Sequence, residues 1–220
     1  MDASLRIIQQ ALRPERWAKL ERVLHQRLGA VRLVVENLHH PHNLSAVLRT
    51  CEGLGVQHVH VVDSAENCRM SRRITLGAHK WLTVHRHGSF GACARELRQR
   101  GFRLYAAVLD PEAIPLEEIP VDPPVALVLG NEHQGVSPAA RELCDGAYTI
   151  SMHGFVQSFN VSVAAAISLY SLTRRVRELR PDQGLLSPGE RTEILRSWMP
   201  KSLRCGRRVV RAAGGADEAC

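Results

Sequence analysis

Uncharged hydrogen-bonding side chains precede a run of small apolar residues in the segment VQSFNVSVAAA, residues 156–166. Ser158 and Asn160 are residue types that satisfy the open backbone N–H groups where a helix begins. Beside a pocket, the same groups could instead hydrogen-bond a ligand or a reacting hydroxyl. Helix capping and a binding site are both open interpretations of this segment alone.

Two other segments carry polar groups of the same kind. LVLGNEHQGVS, residues 127–137, places Glu132 after a fully apolar strand, between glycines that let the backbone turn and a ligand approach closely. NLSAVLRT, residues 43–50, places Asn43 as the N-cap of a helix and Arg49 on a polar stripe with Ser45 and Glu52. A plain turn and a surface ion pair are the alternative interpretations. None of these segments offers a strong nucleophile.

Common nucleotide and hydrolase motifs are excluded. GLG at 53–55 follows a helix instead of opening one after a strand, so it is not a dinucleotide-binding fingerprint. GNEHQG at 130–135 lacks the Lys and Ser/Thr of a triphosphate-binding loop. The G-x-S-x-G turn of serine hydrolases is absent.

Histidines two residues apart raise the question of a metal site. His58 with His60, and His85 with His87, would each share one face of a strand. No carboxylate or cysteine stands in matching spacing, so we expect no metal. The six cysteines form no C-x-x-C pair, which argues against a zinc ribbon and against a disulfide framework.

Short apolar segments alternate with helical ones, which predicts an α/β domain with a mostly parallel sheet between helices. The predicted strands are 31–37, 56–62, 102–109, 125–130 and 146–152. The predicted helices are 4–28 (with a break at Pro14), 43–55, 89–100, 137–144, 158–179 and 188–198. Ligands in such sheets lie beyond the carboxyl ends of the strands, so the loops after 37, 109, 130 and 152 are the candidate site.

Charge is concentrated at the two ends of the 220-residue chain, whose net charge is +7. Residues 1–30 hold six basic and three acidic groups, residues 171–220 eleven and six, and the middle twelve and thirteen. Basic ends around a near-neutral core favour a polyanionic partner. We expect a basic helical arm over 1–28, an α/β domain over 29–180, and a C-terminal helix with a flexible basic tail over 181–220.

The chain shows neither a membrane-length apolar run nor a secretory signal near its start. The expected location is therefore the cytoplasm, without a membrane partner.

Three long segments, in order, resemble the three motifs of the SpoU (TrmH) RNA 2′-O-methyltransferases. They are NLHHPHNLSAVLRTCEGLGV, LVLGNEHQGVS and ISMHGFVQSFNVSVAAAISLY. The resemblance covers about residues 5–200, and PHNLSAVLRT and VQSFNVSVAAA are most similar to the tRNA guanosine-18 branch. Departures are His133, where the family often has Lys, and Phe159, where it often has Leu.

This resemblance implies a fold that periodicity would not predict. The family has a deep C-terminal trefoil knot (the SPOUT type), whose loops would follow Leu109, Leu129 and Met152 and would hold S-adenosylmethionine in a bent shape. It also implies a homodimer whose active site borrows residues across the interface. The implied cofactor contacts are Val108, Leu109, Leu129, Gly130, Asn131, Ile150, Met152, Ser158 and Phe159.

The resemblance likewise implies a catalytic set. Its members are Asn43, Arg49, Glu132, Ser158 and Asn160. Family accounts let Arg49 activate the hydroxyl, but a guanidinium is a poor base, so gripping the adjoining phosphate or stabilising the alkoxide is the alternative. Glu132 would tie the loops together or position Asn43, while Ser158 and Asn160 would organise both the helix start and the pocket.

The implied activity is methyl transfer to the ribose 2′-hydroxyl of a tRNA guanosine, guanosine 18 in the D-loop. The expected RNA contacts are Arg6, Arg13, Arg16, Arg22, His42, Arg174, Arg175 and Arg177. Three alternatives stay open: methylation of ribosomal RNA, methylation of the tRNA wobble nucleotide, and a catalytically silent RNA-binding homologue.

Overall fold

The computed structural model describes residues 3–63, 77–110 and 112–203. The chain divides into two compact units, one of residues 28–185 and one of residues 1–27 with 186–220. The helices are α1 Ala3–Ala11, α2 Pro14–His25, α3 Pro41–Leu54, α4 Phe90–Gln99, α5 Pro138–Glu142, α6 Val161–Leu179 and α7 Pro188–Ser202. The strands are β1 Leu28–Glu36, β2 Val56–Val62, β3 Thr83–His87, β4 Arg103–Ala107, β5 Ile114–Pro115, β6 Val125–Leu129 and β7 Gly146–Thr149.

The larger unit is built on a seven-stranded sheet in the order β3-β2-β1-β6-β4-β7-β5. Every neighbouring pair is parallel, which confirms the predicted α/β class. Strand β5, two residues long, lies in a connection for which the sequence predicted no strand.

Helices cover both faces of this sheet because successive residues of the central strands, which point to opposite faces, are apolar. Leu33 and Val35 of β1 belong to a core cluster that includes apolar residues of α3 and α6. Val34 belongs to a second cluster with residues of α4 and α5. Burial on both faces explains why β6 is a continuous apolar run and why β1 is mostly apolar, with the buried Arg32 as an interruption.

Two helix starts differ from the predictions. Helix α3 begins at Pro41 with His40 as its N-cap, because proline fits the first helical position. Asn43 is therefore not the N-cap. The predicted polar stripe on α3 is also wrong at Ser45, which is buried and donates to the carbonyl of Pro41. Helix α6 begins at Val161, not at 158, and Asn160 is its N-cap.

The smaller unit contains α1, α2 and α7. The single helix predicted over 4–28 is divided at Pro14, the position of the predicted break. Helix α7 begins with a capping box between Ser187 and Glu190 and continues past the predicted end to Ser202. The tail expected to be flexible lies, from residue 204 onward, outside the described residues.

Among the described residues, no helix combines the length and the apolar character that crossing a bilayer requires.

Candidate functional site

The carboxyl ends of β1, β6, β4 and β7, four neighbours in the sheet, open at one edge because the strands are parallel. The loops that leave this edge carry the residues singled out from the sequence. Helices α3 and α6 follow the first and the last of these loops. The fold thus gathers three segments that are far apart along the chain.

Glu132, in the loop after β6, is the centre of the polar contacts at this edge. One carboxylate oxygen accepts a hydrogen bond from Nδ2 of Asn43 at 2.7 Å. The backbone N–H groups of His39 and His40 donate to the two oxygens at 3.1 and 3.2 Å. Partial burial opposes ionisation, but these hydrogen bonds outweigh it and lower the pKa of Glu132 to about 2. Glu132 is therefore an ionised acceptor that fixes the start of α3.

Asn43 extends the contacts to the third segment. Its Oδ1 accepts a hydrogen bond from Nδ2 of Asn160 at 3.3 Å. The Oδ1 of Asn160 in turn accepts from the backbone N–H of Ser162 at 2.8 Å and from its hydroxyl at 2.7 Å. Asn160 therefore caps α6 and contacts the candidate site at the same time. Ser158 is exposed and lies two residues before this cap.

The loop between Gly130 and Gly135 is a tight turn. The backbones of Asn131 and Gly135 exchange two hydrogen bonds of 3.1 Å. The side chain of Asn131 accepts from the backbone N–H groups of His133 and Gln134 at 2.9 and 2.8 Å, so it shapes the loop. A Cβ at Gly130 would lie 1.8 Å from the carbonyl group of Gly135, so only glycine fits there.

Glu36, which was not singled out from the sequence, fixes the other end of this loop. Its carboxylate, buried at the end of β1, accepts from the backbone N–H of Ser137 at 2.9 Å and from its hydroxyl at 2.8 Å. Two carboxylates thus cross-link the same two loops. Glu36, at the start of the loop after β1, binds the loop after β6, and Glu132, in the loop after β6, binds the loop after β1. An acidic residue ending a valine-rich strand was the available signal in the sequence.

A family model described as the SpoU rRNA Methylase family matches residues 30–170. The chain belongs to the SpoU methylase family. The resemblance drawn from the three motifs is thereby confirmed.

Relatives of this SpoU family chain match it over most of their length. The tRNA (guanosine(18)-2'-O)-methyltransferase of Thermus thermophilus is 38% identical over 184 residues, covering 83% of this chain and 95% of the relative. The protein of the same name from Escherichia coli K12 is 33% identical, covering 74% of this chain and 72% of the relative. The crystal structure of the A. aeolicus TrmH/SpoU tRNA modifying enzyme has a TM-score of 0.77 at 33% identity, with 86% and 97% covered.

Within this single chain of the SpoU family, Arg49 does not contact the hydrogen-bonded series of Glu132, Asn43 and Asn160. It is exposed, and among the described residues it makes no hydrogen bond or ion pair. At about 100° per residue, Arg49 lies roughly 120° around α3 from Asn43. A single chain therefore presents Arg49 on a different side of the helix.

The residues expected to contact the cofactor differ in exposure. Leu129 and Gly130 are buried, whereas Val108, Asn131, Ile150 and Met152 are half-buried. The side chains of Leu109 and Phe159 are 68% and 39% exposed. Exposed apolar groups on two of the loops thus lie at the same sheet edge as the buried Gly130.

The basic residues expected to contact RNA fall in both units. Arg6, Arg13 and Arg22 are exposed in the smaller unit, and Arg16 is half-buried there. His42 is exposed on α3 of the larger unit.

The three arginines on α6 have different surroundings. Arg174 pairs with Glu178 at 2.9 Å, and Arg175 is half-buried. Arg177 donates to the carbonyl of Leu54 at 3.1 Å, and burial lowers its pKa. Arg177 thus has a structural contact with the end of α3.

Proposed function

We propose that this chain transfers a methyl group from S-adenosylmethionine to the ribose 2′-hydroxyl of a tRNA guanosine, guanosine 18 in the D-loop. The observation that carries the proposal is the hydrogen-bonded series Glu132–Asn43–Asn160, which joins all three family segments at one sheet edge. The relatives from Thermus thermophilus and Escherichia coli, both named for guanosine 18, support the choice of nucleotide. A tRNA substrate would place this activity in the cytoplasm.

The cofactor would lie against the loops after β4, β6 and β7. The implied contacts combine apolar side chains, such as Leu109 and Phe159, with the backbone of a glycine turn that leaves no room for a Cβ. Such a surface fits a bulky donor with both an aromatic base and a polar tail. We further propose that these three loops form the deep trefoil knot of the family.

The reaction forms a bond between the ribose oxygen and the methyl carbon, breaks the carbon–sulfur bond, and releases the hydroxyl proton. The sulfonium donor is already activated, so the protein has to align the two reactants and assist loss of the proton. Glu132 would act through Asn43, because its carboxylate oxygens already accept hydrogen bonds. Arg49 would grip the phosphate and stabilise the developing alkoxide, since a guanidinium is a poor base.

A second copy of the chain would complete the site. Arg49 makes no contact with Glu132 or Asn160 in one chain, although it belongs to the same family motif as Asn43. Helix α6 exposes Val163 and Tyr170, at 43% and 60%, which offers an apolar surface for a partner. We propose a homodimer in which each site receives Arg49 from the other copy. The expected RNA contacts would then hold the tRNA backbone. They are Arg6, Arg13, Arg16, Arg22, His42, Arg174, Arg175 and Arg177.

Methyl transfer to defined RNA tests the proposal. Unmodified tRNA carrying guanosine 18 should accept labelled methyl groups, whereas the same tRNA with adenosine at this position should accept none. Labelled methyl incorporation into a ribosomal RNA fragment tests the first alternative. Loss of incorporation in a tRNA substituted only at the wobble nucleotide tests the second. Incorporation that follows either of these, or none from any RNA, would contradict the proposal.

The Arg49→Ala variant separates catalysis from cofactor binding. We expect a loss of methyl transfer of about a hundredfold or more, with S-adenosylmethionine affinity nearly unchanged, because Arg49 is assigned to the transition state. Arg95→Ala removes an equally exposed arginine from α4 and serves as the matched control. Near-normal turnover of Arg49→Ala would exclude Arg49 from the reaction.

A further inference from the structure

Four imidazole rings form a stack on one face of the sheet, away from the proposed methyltransferase site. They belong to His58 and His60 on β2 and to His85 and His87 on β3, and we call them the histidine ladder. The rings of His60 and His85 lie 4.4 Å apart and nearly parallel, and those of His60 and His87 lie 5.2 Å apart. Because β2 and β3 are parallel neighbours, side chains two residues apart on both strands share this face.

The ladder is joined by contacts between ring nitrogens. Nδ1 of His60 and Nε2 of His87 are 2.9 Å apart, and Nδ1 of His58 and Nε2 of His85 are 3.0 Å apart. Burial, together with His85 and Arg32, lowers the pKa of His60 to about 2, and the pKa of His87 is lowered by burial. The rings of His60 and His87 are therefore neutral near pH 7, and the neutral imidazole is the form that binds metal ions.

Helix α4 brings a thiol and a carboxylate to the ladder. Cys93 and Glu96 are three residues apart and so lie on the same side of the helix. One ligand atom each from His60, His87 and Cys93 lie within 4.8 Å of one another, and the same holds for His60, His85 and Glu96. The expectation of no metal rested on the absence of such groups at matching sequence spacing, and the fold supplies both.

We propose that His60, His87 and Cys93 form a binding site for a divalent transition metal ion of the zinc class. Two imidazoles and a thiolate suit Zn²⁺ or Co²⁺ and not Mg²⁺ or Ca²⁺, which prefer oxygen ligands. With zinc–nitrogen bonds of about 2.0–2.1 Å, two nitrogens in a tetrahedron lie roughly 3.3 Å apart. The observed 2.9 Å between the ring nitrogens of His60 and His87 thus needs to widen by a few tenths of an ångström. Water takes the fourth position.

Glu96 is less suited than Cys93 to be the third ligand. Its carboxylate already pairs with Nε of Arg100 at 3.3 Å, so a metal would have to replace that partner. Cys93 is buried, and burial raises the pKa of its thiol to about 12. Metal binding therefore releases one proton from this thiol. The proton of His60 moves from Nδ1, which binds the metal, to Nε2 of the same ring.

A neighbouring cation limits the affinity. NH1 of Arg32 lies 3.4 Å from Nε2 of His60, and its guanidinium packs over the ring of Phe102 at 4.6 Å. The charge of Arg32 opposes a second cation, and the proton shift on His60 weakens this contact. Binding is thus expected to be weaker than in a closed four-ligand zinc site, and it is expected to increase with pH as the thiol proton becomes easier to remove.

Cobalt absorption on the full chain tests the site without reference to methyl transfer. The chelator-treated, reduced protein is titrated with Co²⁺ alone, and then with Zn²⁺ as the competitor. We expect one Co²⁺ per chain, visible d–d bands of a tetrahedral ion, and a thiolate-to-cobalt charge-transfer band that Zn²⁺ abolishes. Affinity should fall about tenfold for each pH unit below neutrality because one proton is released. Absence of these bands at excess Co²⁺ would overturn the proposal.

Matched variants assign the ligands. Cys93→Ser and His87→Gln should abolish the charge-transfer band, and His87 is half-buried at a strand end, so its replacement should leave the fold intact. Cys144→Ser removes a half-buried thiol, His85→Gln removes another ring of the ladder, and Glu96→Gln removes the competing carboxylate. All three variants should retain the band. A band that survives Cys93→Ser, or that disappears in any of these three folded controls, would refute the assignment.

Discussion

At the scale of single residues, the side-chain amides of Asn43 and Asn160 each use both of their ends. Asn43 donates through Nδ2 to Glu132 and accepts at Oδ1 from Asn160. Asn160 donates through Nδ2 and accepts at Oδ1 from Ser162. The series runs in one direction and ends on an ionised carboxylate, which polarises every bond before it. The charge of Glu132 is thus what orients both asparagines.

Glu132→Gln tests this role of the charge. A glutamine presents an N–H₂ group toward the backbone N–H of His39 or His40, so one of these hydrogen bonds is lost. We expect the free energy of unfolding to fall by about 1–3 kcal/mol and methyl transfer to fall more than S-adenosylmethionine binding. Urea unfolding and single-turnover methyl transfer measure the two effects. Glu142→Gln, at an exposed position on α5, is the control, and equal behaviour of the two variants would contradict the role.

The same carboxylate predicts a pH dependence of stability. Folding lowers the pKa of Glu132 from 4.5 to about 2, so the folded state binds its proton less readily than the unfolded state. Its contribution is fully present above the unfolded value of 4.5 and is lost as the pH falls toward 2. The difference in unfolding free energy between the wild type and Glu132→Gln should therefore shrink over this interval. A difference that stays constant from pH 6 to pH 3 would disprove the coupling.

Sequence patterns identified some of these residues and not others, for a physical reason. Glu132 and Asn160 could be found because glycines and helix-capping residues act locally. The cap predicted at Asn43 was wrong because Pro41 begins the helix earlier. The contact of Glu36 with Ser137 depends on which strands are neighbours, and the grouping of Cys93 with His60 depends on where α4 packs on the sheet. That information does not lie in any short segment.

At the scale of elements, the two loops after β1 and β6 hold each other through Glu36 and Glu132. Glu36 binds the start of α5, and Glu132 binds the start of α3. Each carboxylate therefore satisfies N–H groups at the beginning of the other loop's helix, where negative charge is favourable. The turn that carries Glu132 is fixed at both ends by this exchange.

Ser137→Ala should loosen one of the two attachments. The substitution removes the hydroxyl that donates to Glu36 at 2.8 Å and that caps α5 by accepting from Ala140. We expect a loss of about 1–2 kcal/mol in unfolding free energy, together with weaker S-adenosylmethionine binding. Ser89→Ala removes the comparable cap of α4, whose hydroxyl meets no carboxylate among the described residues, and should lower stability alone. Titration calorimetry gives the cofactor affinity, and equal affinities for the two variants would contradict the role of the loop.

Gly130→Ala should have a larger effect on the same turn. The added Cβ would lie 1.8 Å from the backbone of Gly135, so the turn has to open. We expect destabilisation of about 1–3 kcal/mol or more and loss of S-adenosylmethionine binding. Gly53→Ala, on α3 with nothing within 4 Å of the new Cβ, should be neutral or stabilising because alanine favours a helix. A Gly130→Ala protein that binds the cofactor normally would show that the turn is not part of its site.

At the scale of the whole molecule, the alternation of strands and helices predicts the parallel sheet, whereas the proposed site shared between two copies follows only from the resemblance to the family. Alternating strand and helix segments fix the class of the larger unit, because parallel strands need helical crossovers. The same patterns carry no information on which residues a second copy would supply. Arg49 is exposed, whereas its motif neighbour Asn43 is half-buried and hydrogen-bonded to Glu132 and Asn160. This contrast is the feature of one chain that favours the proposed shared site.

A mixed dimer distinguishes a shared site from a site within one chain. Arg49→Ala and Asn160→Ser are made in separately tagged chains, and serine keeps the helix cap while losing the amide that contacts Asn43. Each homodimer should be inactive. If Arg49 serves the site of the other copy, the mixed dimer has one site with both residues intact, so it should show about half of the wild-type activity. If both residues serve the same chain, each site of the mixed dimer lacks one of them, and the mixed dimer would be as inactive as the homodimers. Co-expression followed by purification on both tags isolates the mixed species, and methyl transfer per dimer decides between the two arrangements.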